Sequence, residues 1–97
     1  MTMANSGAHP EQFLVEWYGP QAPVQTIVDI AGLLADHATA ISARGAEVRL
    51  LMAMAIPADE YAFGVFAAES ANTVAQVCND ANAPAERISK AIGWVHT

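Results

Sequence analysis

The sequence predicts an α+β sandwich in which four strands and two helices follow one another in the order βαββαβ. Three observations lead to this prediction. Residues 46–67 form a strongly apolar hairpin pattern, a helical periodicity precedes it, and a second helix signal separates it from a final alternating segment. The chain has 97 residues, the size of one domain. Residues 1–11 are assigned to a flexible tail and residues 12–97 to the domain.

The first strand is predicted from Phe13 to Tyr18. Side chains alternate between the two faces of a strand, so the odd-numbered residues share one face while Leu14, Glu16 and Tyr18 share the other. The odd-numbered residues of this strand are all apolar, whereas the other face includes the carboxylate of Glu16.

The first helix is predicted for residues 24–43, because apolar residues recur there at intervals of three and four. Pro23 fits the first turn of this helix, and Gly45 suits the left-handed conformation that often follows a helix end. The predicted buried stripe consists of Val24, Ile27, Val28, Ala31, Leu34, Ala35, Ala38 and Ile41.

The hairpin joins a second strand at residues 47–56 to a third at residues 61–67, with Pro-Ala-Asp-Glu at residues 57–60 as the turn. From Leu50 onward the second strand is apolar on both parities, a pattern typical of strands that are covered on both faces. Whichever set of alternate residues faces away from the helices, that face of the strand would expose apolar side chains. The exposed set is Leu51 and Ala53 in one case, or Leu50, Met52 and Met54 in the other.

The second helix is predicted to begin after Ser70, its N-cap, and a last strand is predicted for residues 87–96. The helix should bury Ala71, Val74, Ala75, Cys78 and Ala81. The whole order is that of a ferredoxin-like sandwich, a four-stranded antiparallel sheet with two helices on one face. Because the other face would be apolar, a second copy is expected to cover it, as in a homodimer of the dimeric α/β-barrel type.

The composition of the chain limits the kinds of partner that it is expected to bind. Ten acidic residues against four basic ones give a formal net charge of −6, which disfavours binding to nucleic acid. No apolar run reaches the roughly 20 residues that span a bilayer, so no membrane partner is expected. The single cysteine, Cys78, excludes an internal disulfide and suits a reducing compartment. We therefore expect a cytoplasmic location.

Three stretches resemble a known group of proteins: the opening Phe-Leu-Val-Glu at residues 13–16, residues 59–70, and the Pro-Ala-Glu-Arg-Ile segment at residues 84–88. They are similar to a small bacterial family of dimeric ferredoxin-like proteins, mostly uncharacterised, that includes a nickel-binding protein. The resemblance covers roughly residues 12 to 95. It implies a homodimer that binds a small molecule or a divalent metal ion such as nickel.

The sequence departs from that family at two places where members often carry a histidine. The corresponding positions here are residues 52–54, Met-Ala-Met, and residues 77–78, Val-Cys. Nickel prefers imidazole, carboxylate and amide ligands, so two of its expected ligands are missing. The two methionines, Met52 and Met54, place soft sulfur donors on one strand face and would suit Cu(I), although methionine is also common core filler.

The remaining candidate metal ligands are scattered along the chain. His37 lies on the first helix, His96 lies near the C-terminus, and Cys78 lies on the second helix. No pair of histidines has the spacing of a chelating motif. We interpret His37, His96 and Cys78 as weak metal candidates, and no cofactor is assigned.

Glu16 is the strongest candidate for a functional residue, because a carboxylate in an apolar strand needs a partner or a raised pKa. A structural salt bridge to Arg49 or Arg87 is the favoured interpretation. Alternatively, Glu16 and Tyr18 face a cavity and bind or activate a ligand. The candidate ligand-binding residues are Glu16, Tyr18, Met52, Met54 and Trp94.

Two functions remain open at this point. The favoured one is a non-catalytic dimer that binds a small molecule or metal ion, as the resemblance implies. The alternative is a cofactor-independent enzyme of the dimeric α/β-barrel monooxygenase type, with Glu16 and Tyr18 acting in a pocket between the sheet and the helices. Small residues at positions 62, 64, 91 and 93 would leave room for such a pocket.

Overall fold

The structure of the chain, a computed structural model, describes residues 10–92. It contains six main elements in the predicted order βαββαβ. These are β1 (Glu11–Tyr18), α1 (Ile27–Ala43), β2 (Val48–Ile56), β3 (Tyr61–Ala68), α2 (Ala71–Asp80) and β4 (Arg87–Ala91). Single turns of 3₁₀ helix occupy Gly19–Gln21 and Pro57–Asp59. The candidates Trp94 and His96, and the end of the predicted last strand, lie outside the described residues.

The four strands form one antiparallel sheet in the order β2-β3-β1-β4, and the two helices pack together on one of its faces. This arrangement confirms the predicted ferredoxin-like α+β sandwich. The two central strands, β3 and β1, are separated in the chain by α1 and β2 yet pair along their full lengths, from Glu11 opposite Ala68 to Tyr18 opposite Tyr61. The sheet therefore has one face covered by helices and one face, here called the open face, that carries none.

The core lies between the helices and the sheet. The odd-numbered apolar residues of β1 point into it, and Val15 is fully buried. The other buried core side chains come mainly from α1, β2, β3 and α2 and include Leu34, Ala38, Ile41, Val48, Phe66, Val74, Val77 and Cys78. Burying side chains of this size stabilises the fold by about 1.5 to 3 kcal/mol each relative to exposing them. The helix-covered face therefore supplies most of the hydrophobic stability of the chain.

The helix boundaries and buried stripes differ from the predictions in detail. Residues 24–26 form a turn, and α1 begins at Ile27. Val28, predicted to be buried, is 81% exposed. On α2 the stripe includes Thr73 and Val77, whereas Ala71 is exposed. The cause is the alanine-rich composition: small apolar residues surround both helices, so periodicity alone does not reveal which edge of the stripe faces the sheet.

The predicted helix caps are confirmed. Ser70 Oγ accepts a hydrogen bond from the Thr73 amide at 3.2 Å at the start of α2. Gly45 adopts φ +107° after α1, a conformation that favours glycine. Beside it, the Ser42 hydroxyl donates to the Val48 carbonyl at 2.7 Å and accepts from the Val48 amide at 2.9 Å. These bonds hold the end of α1 against the first residue of β2.

An irregularity in β2 decides which of its apolar residues face the core. Leu50 is opposite Phe66 and Met52 is opposite Val65, so Leu51 is an extra residue, a β-bulge. Before the bulge, Leu50 packs on the core side, where its Cδ1 would be 3.7 Å from a Cβ at Gly64. After it, Met52 and Met54 share the open face. The prediction that Leu50, Met52 and Met54 share one face is therefore wrong, because the extra residue changes the parity.

Candidate functional site

The open face combines a broad apolar surface with one group of polar side chains. Its members are the residues of each strand that alternate with the core residues. They include Leu14, Glu16, Tyr18, Met52, Met54, Ile56, Tyr61, Phe63 and Val65. Met54 is 49% exposed, and Ile56 and Tyr18 are 39% and 42% exposed. Large apolar side chains on one contiguous surface mark an interaction or ligand-binding site.

The polar group consists of Glu16, Tyr18 and Tyr61, here called the Glu16 cluster. Tyr61 Oη donates a hydrogen bond to Glu16 Oε2 at 2.6 Å, and Tyr18 Oη donates to Glu16 Oε1 at 3.2 Å. The antiparallel register places Tyr18 directly opposite Tyr61 at the end of the β1–β3 pair, with their ring centroids 5.9 Å apart. Both oxygens of the carboxylate are thus held by phenols, and the shorter bond is of the charge-assisted type.

The Glu16 carboxylate changes the chemistry of Tyr61. Their hydrogen bond, together with burial and the negative charge of Glu16, raises the pKa of Tyr61 to about 12. The Tyr61 phenol therefore remains protonated at neutral pH, and it acts as a hydrogen-bond donor. A tyrosinate nucleophile or base at this position is excluded by the same effect.

The predicted salt bridge of Glu16 is wrong. Arg87 of β4 is opposite Glu16 in the register, but its guanidinium does not pair with the carboxylate; within residues 10–92 the ion pair found is Lys90 to Glu11, at 2.6 Å. Arg49 lies on β2, and β3 separates that strand from β1. The physical reason is that two neighbouring phenols satisfy the carboxylate without the cost of desolvating a second charged group.

The expected pocket with Glu16 and Tyr18 between sheet and helices is also not present. Both side chains belong to the open face, because Trp17 between them points to the helices. Ala62 and Gly64, expected to leave room for a pocket, are buried in the core. Leu50 packs close to the Gly64 backbone. A site that uses the Glu16 cluster must therefore take its ligand from the helix-free side.

The candidate metal ligands do not converge. Met52 and Met54 lie together on the open face, whereas Cys78 is fully buried on the helix side, and the sheet separates them. Burial raises the pKa of the Cys78 thiol to about 12, which keeps it in the neutral form that binds metals poorly. His37 is half-buried on α1. In the described part of the chain, no group of three or more His, Cys, Asp or Glu side chains is placed to hold a metal ion.

A pocket of about 430 Å³ opens on the helix side of the sheet, at the end of the molecule that also carries the Glu16 cluster. It is here called the Trp17 pocket, and its lining includes Trp17, Pro23, Thr26, Asn82, Pro84 and Glu86. Sequence reasoning placed Trp17 in the first strand and missed the other lining residues of this pocket. They come from two loops, which precede α1 and follow α2, and no local pattern indicates that these loops meet.

Comparison of the chain with protein-family models, curated proteins and solved structures found no significant match. In the described part of the chain, no helix combines the length and apolar character needed to cross a membrane. The geometry of the two sites therefore provides the basis for a functional interpretation.

Proposed function

We propose that this protein is a homodimer that binds a small molecule between the open faces of two copies, with the Glu16 cluster as the polar anchor. The observation that supports this proposal is the composition of the open face. It is apolar except at its margins and at one carboxylate held by two phenols. A surface of this kind suits a partner and a ligand that are largely apolar and carry a hydrogen-bond donor.

The size of the open face suits a second copy. Four strands about 4.8 Å apart, with about 3.3 Å per residue over eight residues, give a flat outline on the order of 500 Å². A stable dimer buries about 800 Å² of accessible surface on each partner, and accessible surface exceeds a flat outline because side chains project from it. The open face therefore has about the area that a stable pair of sheets requires.

The Glu16 cluster suits an organic ligand. Each carboxylate oxygen accepts one phenol and keeps a further lone pair, so the cluster can accept an N–H or O–H from a ligand. Phe63 is opposite Glu16 in the register, and Met54 is opposite Phe63. These side chains supply an apolar surface beside the anchor. A metal ion, which the family resemblance implies, would instead depend on the sulfur atoms of Met52 and Met54.

One observation also favours the enzyme alternative. The free lone pairs of Glu16 lie beside an apolar surface, which is a suitable setting for a general base. The two functions differ in what happens to the ligand. A binding protein returns it unchanged, whereas an enzyme converts it, so mass spectrometry of a bound compound before and after incubation with air distinguishes them.

The dimer is tested by placing a charge on the open face. We expect the native chain, 10.2 kDa as a monomer, to sediment at about twice that mass at micromolar concentration. Met54→Glu should give monomers, because a buried interfacial carboxylate without a partner is strongly unfavourable. Val28→Glu is the matched control, because Val28 is 81% exposed on α1. A native monomer, or a Met54→Glu dimer, would contradict the proposal.

The ligand site is tested by native mass spectrometry and calorimetry on tag-free protein. Compounds that remain bound after purification should be lost from Glu16→Gln together with Tyr61→Phe. They should be retained by Glu47→Gln, which changes an exposed carboxylate just before β2, at the end of that strand opposite to Tyr61. Titration with nickel and with Cu(I) addresses the metal alternative. Either ion could bind with sub-micromolar affinity and lose that binding when Met52 and Met54 are changed to leucine. That result would show that the ligand is a metal ion and not an organic molecule.

A further inference from the structure

We propose that the Trp17 pocket is a second site, contained within one chain, that binds a small organic ammonium ion. The pocket lies on the helix side of the sheet, so it does not depend on the dimer or on the Glu16 cluster. Its volume of about 430 Å³ lies within the range of about 300 to 1,000 Å³ typical of small-molecule sites.

The loop after α2 forms one wall and is held firmly. Asn82 takes φ +60°, its amide donates to the Asn79 carbonyl, and the Ala83 amide donates to the Cys78 carbonyl, which together form a Schellman motif. The Ala83 carbonyl then accepts the indole N–H of Trp17 at 3.0 Å. At the end of the loop, the Glu86 amide donates to the Glu16 carbonyl at 2.9 Å. The wall is therefore preformed.

Most hydrogen-bond donors around the pocket are already in use. Pro23 and Pro84 have no backbone N–H. The donors that already have acceptors within the chain are the Trp17 indole and the main-chain amides of Ala22, Ile30, Asn82, Ala83 and Glu86. The groups that remain are the Glu86 carboxylate, which only accepts, the side-chain amides of Gln21 and Asn82, the Thr26 hydroxyl, and the main-chain amides of Gln21 and Thr26. Glu86 is the charged group among them, and because it only accepts, the pocket suits a ligand with a charged hydrogen-bond donor.

The electrostatic charge around the pocket also favours a ligand that carries a positive charge. The start of α1 at Thr26 and the end of α2 before Asn82 both border it, and helix ends carry opposite partial charges of roughly half an elementary charge. These two contributions offset each other. The full charge of Glu86 therefore decides the sign, and the net charge of −6 on the chain adds to it.

The apolar part of the lining defines the body of the ligand. Trp17, Pro23, Ile30 and Pro84 contribute carbon surface, and the Trp17 ring lies at the base of the pocket because only 3% of the residue is exposed. A compact aromatic or aliphatic group fits this surface, with its ammonium group directed to Glu86 at the opening. A primary amine on a short apolar body therefore has the matching shape and charge.

The experiment uses the full chain, labelled with ¹⁵N, and three probes of similar shape: phenethylamine, 2-phenylethanol and 3-phenylpropanoate. Amide shifts report where each probe binds, and their concentration dependence reports the affinity. We expect phenethylamine to bind most tightly and to shift the amides of residues 17, 21, 22, 24–26, 82, 83, 85 and 86. Glu86→Gln should lower its affinity about twofold to fivefold, as for an exposed ion pair, and weaken its dependence on salt. Glu47→Gln, which removes the same charge elsewhere, should change neither.

Several outcomes would overturn the proposal. These are an absence of shifts around the pocket at millimolar phenethylamine, equal affinity for the alcohol or the acid, and an affinity that Glu86→Gln leaves unchanged. Shifts confined to Leu14, Glu16 and Phe63 would also overturn it and would place the amine on the open face instead. A chain that is monomeric but binds phenethylamine at the pocket would contradict only the dimer, so failures of the two proposals are distinguishable.

Discussion

The two faces of the sheet are built from similar amounts of apolar side chain but differ in what covers them. Phe66 on the helix side is fully buried, whereas Phe63, three residues earlier on the same strand, faces the open side and is only partly buried. On the helix side, every large residue of β1 and β3 meets side chains of α1 or α2 in one core. The open side has the same kind of residue without a covering layer.

The faces also treat polar groups differently. The indole of Trp17, which is buried on the helix side, donates its hydrogen bond within the chain to the Ala83 carbonyl. The Glu16 cluster on the open side keeps unused lone pairs although it is hydrogen-bonded. The core of the helix side thus stabilises the fold, whereas the polar group of the open face keeps free acceptor sites. The following predictions test that difference, beginning with the largest effect.

Replacing one phenylalanine on each face by alanine should show most clearly how the two faces differ in their contribution to stability. Phe66→Ala leaves a cavity in the core and should lower the free energy of unfolding by about 3 to 5 kcal/mol. Phe63→Ala should cost about 1 to 2 kcal/mol at low protein concentration, because its side chain is already partly hydrated. Urea unfolding of both variants measures the difference. Equal losses would show that the open face is covered even in dilute solution.

The hydrogen bonds of the Glu16 cluster should differ in strength. Tyr61→Phe removes a 2.6 Å bond to a carboxylate and should lower the free energy of unfolding by about 1 to 2 kcal/mol. Tyr18→Phe, the matched control, removes a 3.2 Å bond at an exposed tyrosine and should cost about 0.5 kcal/mol or less. Thermal and urea unfolding provide the comparison. A larger loss for Tyr18→Phe would refute the geometry of the cluster.

Removing the charge of Glu16 should have a modest effect on stability. In Glu16→Gln the amide oxygen still accepts one phenol and the amide nitrogen can donate to the other, so we expect a loss of about 1 kcal/mol. A buried salt bridge to an arginine would instead cost about 3 to 5 kcal/mol on this substitution. The melting temperature of the variant distinguishes these two values. A large drop would contradict a carboxylate held only by phenols and would support a salt bridge to an arginine.

The stability of the fold should also depend on alkaline pH. The folded-state pKa of Tyr61 is about 12 and its ordinary value is 10, so folding favours the neutral phenol. The stability from this shift is complete below pH 10 and is lost as the pH rises from 10 through 12. Cys78 acts in the same direction, beginning at its ordinary value of 9 and extending to about 12.

Absorbance at 295 nm follows tyrosine ionisation from pH 8 to about 12.5, and urea unfolding over the accessible part of the same range measures the loss of stability. Tyr61→Phe should remove the late tyrosine ionisation and the part of the stability loss above pH 10, while the loss that begins near pH 9 persists because Cys78 is unchanged. Tyr61 ionisation at its ordinary pH in the folded protein would show that its bond to Glu16 is absent in solution.

Much of the fold could be predicted from the sequence because its signals are local. The alternation of β1, the Ser70 cap and the Gly45 turn each involve residues close in the chain, and all three are present in the structure. The candidate site was predicted less well. Glu16 was identified as the key residue, but its partners were expected to be arginines, since a charge in an apolar strand does not reveal whether cations or phenols will satisfy it.

By itself, the sequence determined the order of the elements, the Ser70 cap at the start of α2 and the glycine turn after α1. Tertiary structure decided the rest: the bulge at Leu51, the bond from Tyr61 to Glu16 across 45 residues and the bond from Trp17 to Ala83 across 66. The physical reason is the separation along the chain of the groups that interact. Periodicity and capping act within a few turns of chain, whereas a register shift, a shared carboxylate or a pocket between two loops depends on groups that only folding brings together.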